Sequence, residues 1–164
     1  MARIRGEVSE SKLKSALEKI MEIHPLLDVH VLEDANHDIW FESNKVANIS
    51  FGVKQRISDE QWKEAIQEEC RVPFDFERGP LIRYILLKSH DVSDFIIFCQ
   101  HMICDGLSLA NLINEILTLT EDSSQEYAAE KDTPLPVPEN ISLNIKTRRL
   151  GNFIKKAAVN YIVR

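Results

Sequence analysis

At 164 residues with 44% hydrophobic side chains, the chain is long enough for one globular domain with a core and short for two. Its 20 basic and 26 acidic side chains give a net charge of -6, which argues against nucleic acid as a partner. The odd count of 3 cysteines, with no Cys-x-x-Cys pair, speaks against a disulfide framework or a structural zinc site, and the charged opening Met1-Ala-Arg-Ile-Arg-Gly6 with no membrane-length apolar run predicts a soluble, cytoplasmic protein.

Ala2 to Val8 reads as a short strand, followed by a helix capped at Ser9 with Leu13, Ala16, Leu17, Ile20 and Met21 on one face. His24-Pro25 ends that helix, because the residue before proline disfavours helical geometry. Leu26 to Glu33 and Asp38 to Glu42 read as a hairpin around the turn-rich spacer Asp34 to His37, and Ile49 to Gln55 as a further strand. Ser58-Asp-Glu-Gln61 fits a capping box for a second helix whose apolar face is Trp62, Ala65, Ile66 and Cys70. Pro73 closes it, and an irregular link leads to Leu81 to Leu87, a run so apolar that it predicts a central strand. His90 to Ser93 is read as the turn into the next strand. The histidines at positions 24, 30, 37 and 90 fall at predicted ends and turns and are expected to be solvated, while Trp40 and Trp62 anchor packing.

The next segment carries the chemistry. Phe95 to His101 predicts a buried strand that runs into Met102-Ile-Cys-Asp-Gly106 and then a helix striped by Leu109, Leu112, Ile113, Ile116 and Leu117. Helices alternating with buried strands give α/β or α+β layering. Glu121 to Glu139 is polar and holds Pro134, Pro136 and Pro138, which predicts an extended linker; beyond it, residues 141–164 form a basic amphipathic helix with six cationic and no acidic side chains. The domain reading is therefore 1–120, 121–140 and 141–164. The terminal helix is expected to cover apolar surface of this or a neighbouring domain, with binding to a membrane surface or a partner as the alternative.

His101 at a strand end is placed to act as a general base, and an equally simple reading makes it a core histidine bonded to a backbone group. Asp105 can orient that ring, or hold the loop through an ion pair with Arg83, the one charge within Leu81 to Leu87. Gly106 would let the helix begin close to a substrate. Cys104 as a thiol nucleophile lacks a second histidine or an asparagine placed by the sequence. Cys99, His101, Cys104 and Asp105 do not form a convincing metal set, because the last two lie beyond the turn.

Several segments together resemble the condensation-domain and chloramphenicol-acetyltransferase-like acyltransferases: Arg5-Gly6 to Leu17 with Ile23-His-Pro-Leu-Leu27, then Val72-Pro-Phe-Asp-Phe-Glu-Arg-Gly-Pro-Leu-Ile-Arg83, then Gln100-His-Met-Ile-Cys-Asp-Gly106. The resemblance covers residues 2–120 and implies a two-layer α+β sandwich, a mixed sheet with helices packed on it, making half of a chloramphenicol-acetyltransferase-like fold. It implies acyl transfer from a coenzyme A or carrier-protein phosphopantetheine thioester to an amine or alcohol, with no tightly bound cofactor and no metal. His101 becomes the base or positioning residue, Asp105 and Arg83 its structural support, and Gly106 and Gln100 line the tunnel. The family's peptide-synthetase pattern is His-His-x-x-x-Asp-Gly, and Gln100 stands at the first histidine. Family members have two similar halves with the tunnel between them, so the resemblance implies a missing C-terminal half-domain or a second chain, with a carrier protein and self-association as further partners. The rival expectation is a non-catalytic interaction module that keeps the fold.

Overall fold

The run from Leu81 to Leu87 is apolar at both alternating sets of positions, and the strand it forms lies inside a sheet covered on both faces. The computed structural model describes residues 1–35, 37–43 and 49–121. Its main sheet contains β1 (Ala2–Arg5), β4 (Phe51–Gln55), β5 (Ile82–Lys88) and β6 (Val92–Cys99), in the order β1-β6-β5-β4. β6 runs antiparallel to β1 and β5, whereas β4 is parallel to β5, so the sheet is mixed. A parallel pair needs a crossover, and α2 (Gln61–Cys70) supplies it. A separate hairpin joins β2 (Val29–Glu33) to β3 (Ile39–Ser43), and the Val31 N–H donates to the Phe76 carbonyl at 2.6 Å, tying the hairpin to the link before β5.

The expected two-layer arrangement is made by the sheet with α1 (Glu10–Ile23) and α3 (Gly106–Glu121). All five apolar residues predicted on α1 are buried there, against Ile82, Tyr84, Leu86 and Phe95 of the sheet and Leu112 and Ile116 of α3. Each fully buried leucine or isoleucine in this layer contributes about 1.5–3 kcal/mol. α2 covers part of the opposite face, packing Trp62, Ala65 and Ile66 on Ile85, Leu87, Ile96 and Phe98. His24, half-buried at the end of α1, ties the two main helices together through Nε2, 2.6 Å from Glu115 Oε2.

Several local expectations are corrected. Residues Pro25–Asp28 form a turn of 3-10 helix before β2, since proline at its first position presets the helical φ. His30 lies within β2, inside the segment read as a strand, and its side chain is only 14% exposed where solvation was expected. Ser58 does not cap α2: the cap residue is Glu60, and Gln61 instead folds back, accepting from the Ile57 N–H at 2.7 Å and donating to the Gln55 carbonyl at 2.9 Å. Cys70, assigned to the apolar face of that helix, is exposed at its last position. The turn predicted at His90 to Ser93 ends sooner, so Ser93 and Asp94 are wholly buried in β6. Glu121, expected to open the linker of 121–140, is the last residue of α3, and the rest of that linker and the basic helix expected over 141–164 lie outside the described residues. Among the described residues, no helix is long and apolar enough to cross a membrane.

Candidate active site

Two backbone devices hold the segment between β6 and α3. The Gln100 N–H donates to the Leu81 carbonyl at 2.9 Å, extending the β5–β6 ladder by one bond, and the Ile103 N–H donates to the Gln100 carbonyl at 3.1 Å, closing a turn. Beyond the turn, Asp105 caps α3: its Oδ1 accepts from the Ser108 N–H at 2.8 Å, and its carbonyl accepts from the Leu109 N–H at 2.8 Å. His101 sits on the turn between these anchors and is exposed. Its backbone is therefore fixed while its imidazole faces outward, and among the described residues no hydrogen bond or ion pair occupies either ring nitrogen. The core-histidine reading does not survive this placement.

On the turn and the first turn of α3, Met102 is 38% and Leu107 62% exposed. Gln100 is half-buried at the start of the turn. Gly106 opens α3, and a Cβ built on it would meet nothing within 4 Å, so the space before the helix is open. Two shallow recesses elsewhere, one at the start of α1 lined by residues including Ser9, Lys14 and Lys88 and one between α1 and Leu119, do not include the motif. His101 and Gly106 are both exposed on this face.

Arg83 is half-buried on the α2 side of β5, as its place within an apolar run requires. The acid that meets it is Glu69 of α2, with Nε 2.8 Å from Oε2, a close ion pair although off the line of a hydrogen bond. Its Nη2 donates to the carbonyls of Glu69 at 3.1 Å and Val72 at 2.9 Å, and its guanidinium lies 4.2 Å from the centre of the Phe74 ring. Arg83 thus binds the end of α2 and the following link to β5. The sequence reading gave Asp105 the part that Glu69 plays in these contacts. Glu69 carried no signal, because the reading of α2 weighed only its apolar face. Glu69→Gln is expected to cost on the order of 1 kcal/mol, the upper end for an ion pair that keeps some contact with water; urea unfolding checks this, and an unchanged midpoint would show that the two carbonyls suffice.

A second charged cluster also escaped the sequence reading. Asp94, with a fully buried side chain in β6, accepts from Arg3 Nε at 2.7 Å and from Arg56 Nε at 2.9 Å, while Arg56 also pairs with Asp59 at the approach to α2. It joins β1, the segment after β4 and β6 at one point, on the α2 side of the sheet. The signal was an acid beside the apolar run Phe95-Ile-Ile-Phe98, at the one position between the turn read to Ser93 and the strand read from Phe95. Burial pushes its carboxyl up, but the hydrogen bonds from Arg3 and Arg56 outweigh that and hold it below the ordinary value of 3.8.

The sequence model of the condensation domain matches residues 1–136. Among curated proteins, a plipastatin synthase polypeptide of Bacillus subtilis is 33% identical over 113 residues, 68% of this chain and 4% of that protein. A linear gramicidin synthase polypeptide of Brevibacillus parabrevis is 27% identical over 126 residues, 73% of this chain and 2% of that protein. The chain therefore spans a few per cent of the length of these relatives. Among solved structures, the tallysomycin biosynthesis protein TlmII superposes with a TM-score of 0.65 at 20% identity, covering 73% of this chain and 31% of that one. The starter condensation domain of rhizomide synthetase RzmA gives 0.59 at 16% identity, over 74% of this chain and 30% of its own. The mixed sheet and its helices are the fold shared with these proteins.

Proposed function

Because this chain belongs to the condensation-domain family, we propose that it forms one wall of an acyl-transfer site in which His101 serves the acceptor nucleophile. The observation that carries the reading is the exposed imidazole on a turn anchored at both ends by backbone bonds, in the segment that matches the family motif. An amine or alcohol held against the imidazole attacks a thioester carbonyl. His101 accepts the nucleophile's proton, or holds the nucleophile by a hydrogen bond, and the departing sulfur leaves as a thiol. The donor is a thioester on coenzyme A or on a carrier-protein phosphopantetheine arm, and the similarity to peptide synthases favours the arm. Asp105 serves through position, since its carboxylate fixes the first turn of α3 and so the angle at which the motif meets the substrate. The family's Asp–Arg support role falls here on Asp105 and Arg83 together with Glu69. The missing wall is a second half-domain, in the same polypeptide or another chain.

Gln100 and Gly106 are proposed to line the channel. Gly106→Ala is expected to leave folding intact, or to stabilise the start of α3 by about 0.5–1 kcal/mol, because its Cβ meets open space. The same methyl group is expected to slow transfer by narrowing the donor's path. Thermal unfolding and a thioester-transfer assay on the assembled enzyme, run side by side, check both; equal transfer by the two proteins would remove Gly106 from the channel.

A second reading has one observation in its favour: glutamine at position 100, where peptide-synthetase domains carry the first histidine. It makes this chain a condensation-like module that binds without turning over. Transfer of a labelled acyl group by the assembled protein, lost on His101→Ala, separates the two. Binding of the acyl thioester with no transfer in either protein would establish the non-catalytic module.

A further inference from the structure

The last turn of α3 lies beside the first turns of α1, and a recess of about 150 Å³ opens between them. Ala16 and Leu119, both buried, give it an apolar floor, and Ser11, Lys12, Ser15 and Lys19 stand exposed around it. Lys12 and Lys19 are two helical turns apart, which puts them on one stripe of α1. Lys54, Lys63 and Lys88 each meet a carboxylate. Among the described residues Lys12 and Lys19 meet none. Two unpaired cations beside an apolar floor suit an occupant with an aromatic ring and flanking acids.

The chain itself brings such an occupant to this place. α3 ends at Glu121, just past Leu119, and the sequence continues Asp122-Ser-Ser-Gln-Glu-Tyr-Ala-Ala-Glu-Lys-Asp132. Asp122, Glu126, Glu130 and Asp132 against the single Lys131 give this stretch a charge of -3, and Tyr127 is its one aromatic residue. At about 3.3–3.6 Å per residue, the chain from Glu121 to Tyr127 can reach about 20 Å, enough to turn back over Leu119. A segment on so short a tether meets the recess at an effective concentration on the order of millimolar, an advantage over any free partner.

We propose that the recess between α1 and α3 is the docking site for residues 122–132 of the same chain, with the Tyr127 ring over Ala16 and Leu119 and acids of the segment facing Lys12 and Lys19. Neither part suffices alone. Exposed ion pairs are weak, and a shallow apolar floor gives little area, but the ring and the charges act at one place on a tethered segment. The seated segment covers the last turn of the helix that begins at the motif and fixes the direction in which the chain leaves it. This contact stands whether or not His101 is catalytic.

The test uses the full chain at low concentration, treated with a carbodiimide that joins carboxylates to lysines without a spacer and read by peptide mapping. The expected result is a set of links within one chain from Lys12 or Lys19 to acids of residues 122–132. Hydrogen exchange supplies the second measurement. Lys12→Glu with Lys19→Glu, both at exposed positions, is expected to speed exchange across 122–132 by about tenfold, the worth of two exposed ion pairs. Adding Glu126→Lys and Glu130→Lys to that protein is expected to restore the slow exchange, which a general loosening of α1 would not allow. Exchange at the rate of a free peptide in the natural chain, exchange unmoved by the charge reversal, or links from 122–132 to other lysines only would each overturn the proposal. Links that join two chains would overturn it as well, giving the recess to a second copy.

Discussion

His101→Ala is expected to lower acyl transfer by the assembled enzyme by about 10²–10⁴-fold, the range that a positioned general base supplies. The same change is expected to shift stability by less than about 0.5 kcal/mol, since the side chain is exposed and nothing among the described residues holds it. The pairing of a large kinetic loss with an unmoved denaturation curve distinguishes a residue that meets substrate from one that supports the fold. His101→Gln refines the result. Glutamine keeps a hydrogen-bonding group on the turn but cannot take up a proton at neutral pH. Retained transfer in the glutamine variant makes position 101 an orienting group; equal loss in both makes it the proton acceptor. Transfer unaffected by either change would end the catalytic reading.

The second large effect belongs to Asp94. Asp94→Ala is expected to cost about 3–4 kcal/mol, toward the lower end of the range for breaking a buried pair, because it strands Arg56, whose side chain is 10% exposed, while Arg3, at 41%, can turn to water. The pH dependence has a definite sign. The folded carboxyl is held below its unfolded value near 3.8. Its contribution is therefore complete above that value and is lost as pH falls through the folded one. Urea midpoints of the natural chain should fall steeply in that acid window, and the Asp94→Ala protein should lose part of that slope. Parallel curves for the two proteins would show that Asp94 does not anchor the fold as described.

These two residues also show how far the amino-acid sequence can be read by itself. His101 was legible because its neighbours in sequence are its neighbours in space: one strand, one turn and one helix cap place it, and each leaves a local mark. The apolar stripe of α1 was legible for the same reason, as period alone puts Leu13, Leu17 and Ile20 on one side. Asp94 and Glu69 were not, because their meaning comes from partners 91 and 14 residues away that only the sheet order brings near. A lone acid beside an apolar run announces that it needs a cation, but not which one. Arg83 announced the converse, and the acid sought within the motif is matched in these contacts by one at the end of α2. The slip at Leu26 has a different cause: a proline just before two leucines winds a short helical turn, and apolarity alone cannot tell that from a strand.

The antiparallel pairing of β1 with β6 bears on how the chain comes to be folded. Arg3 and Asp94, opposite one another in that ladder, are 91 residues apart. At about 5–20 residues per second, a ribosome needs roughly 5–18 s to make that stretch. For that interval β1 is made but has no mate, while α1, the β2–β3 hairpin and α2 can begin to form from local contacts. The charges of Arg3 and Arg5 on so short a strand guard it against pairing with another nascent chain. Closing the sheet therefore waits on the late arrival of β6, and the docking of β1 is expected to be the slow, topology-limited event of folding.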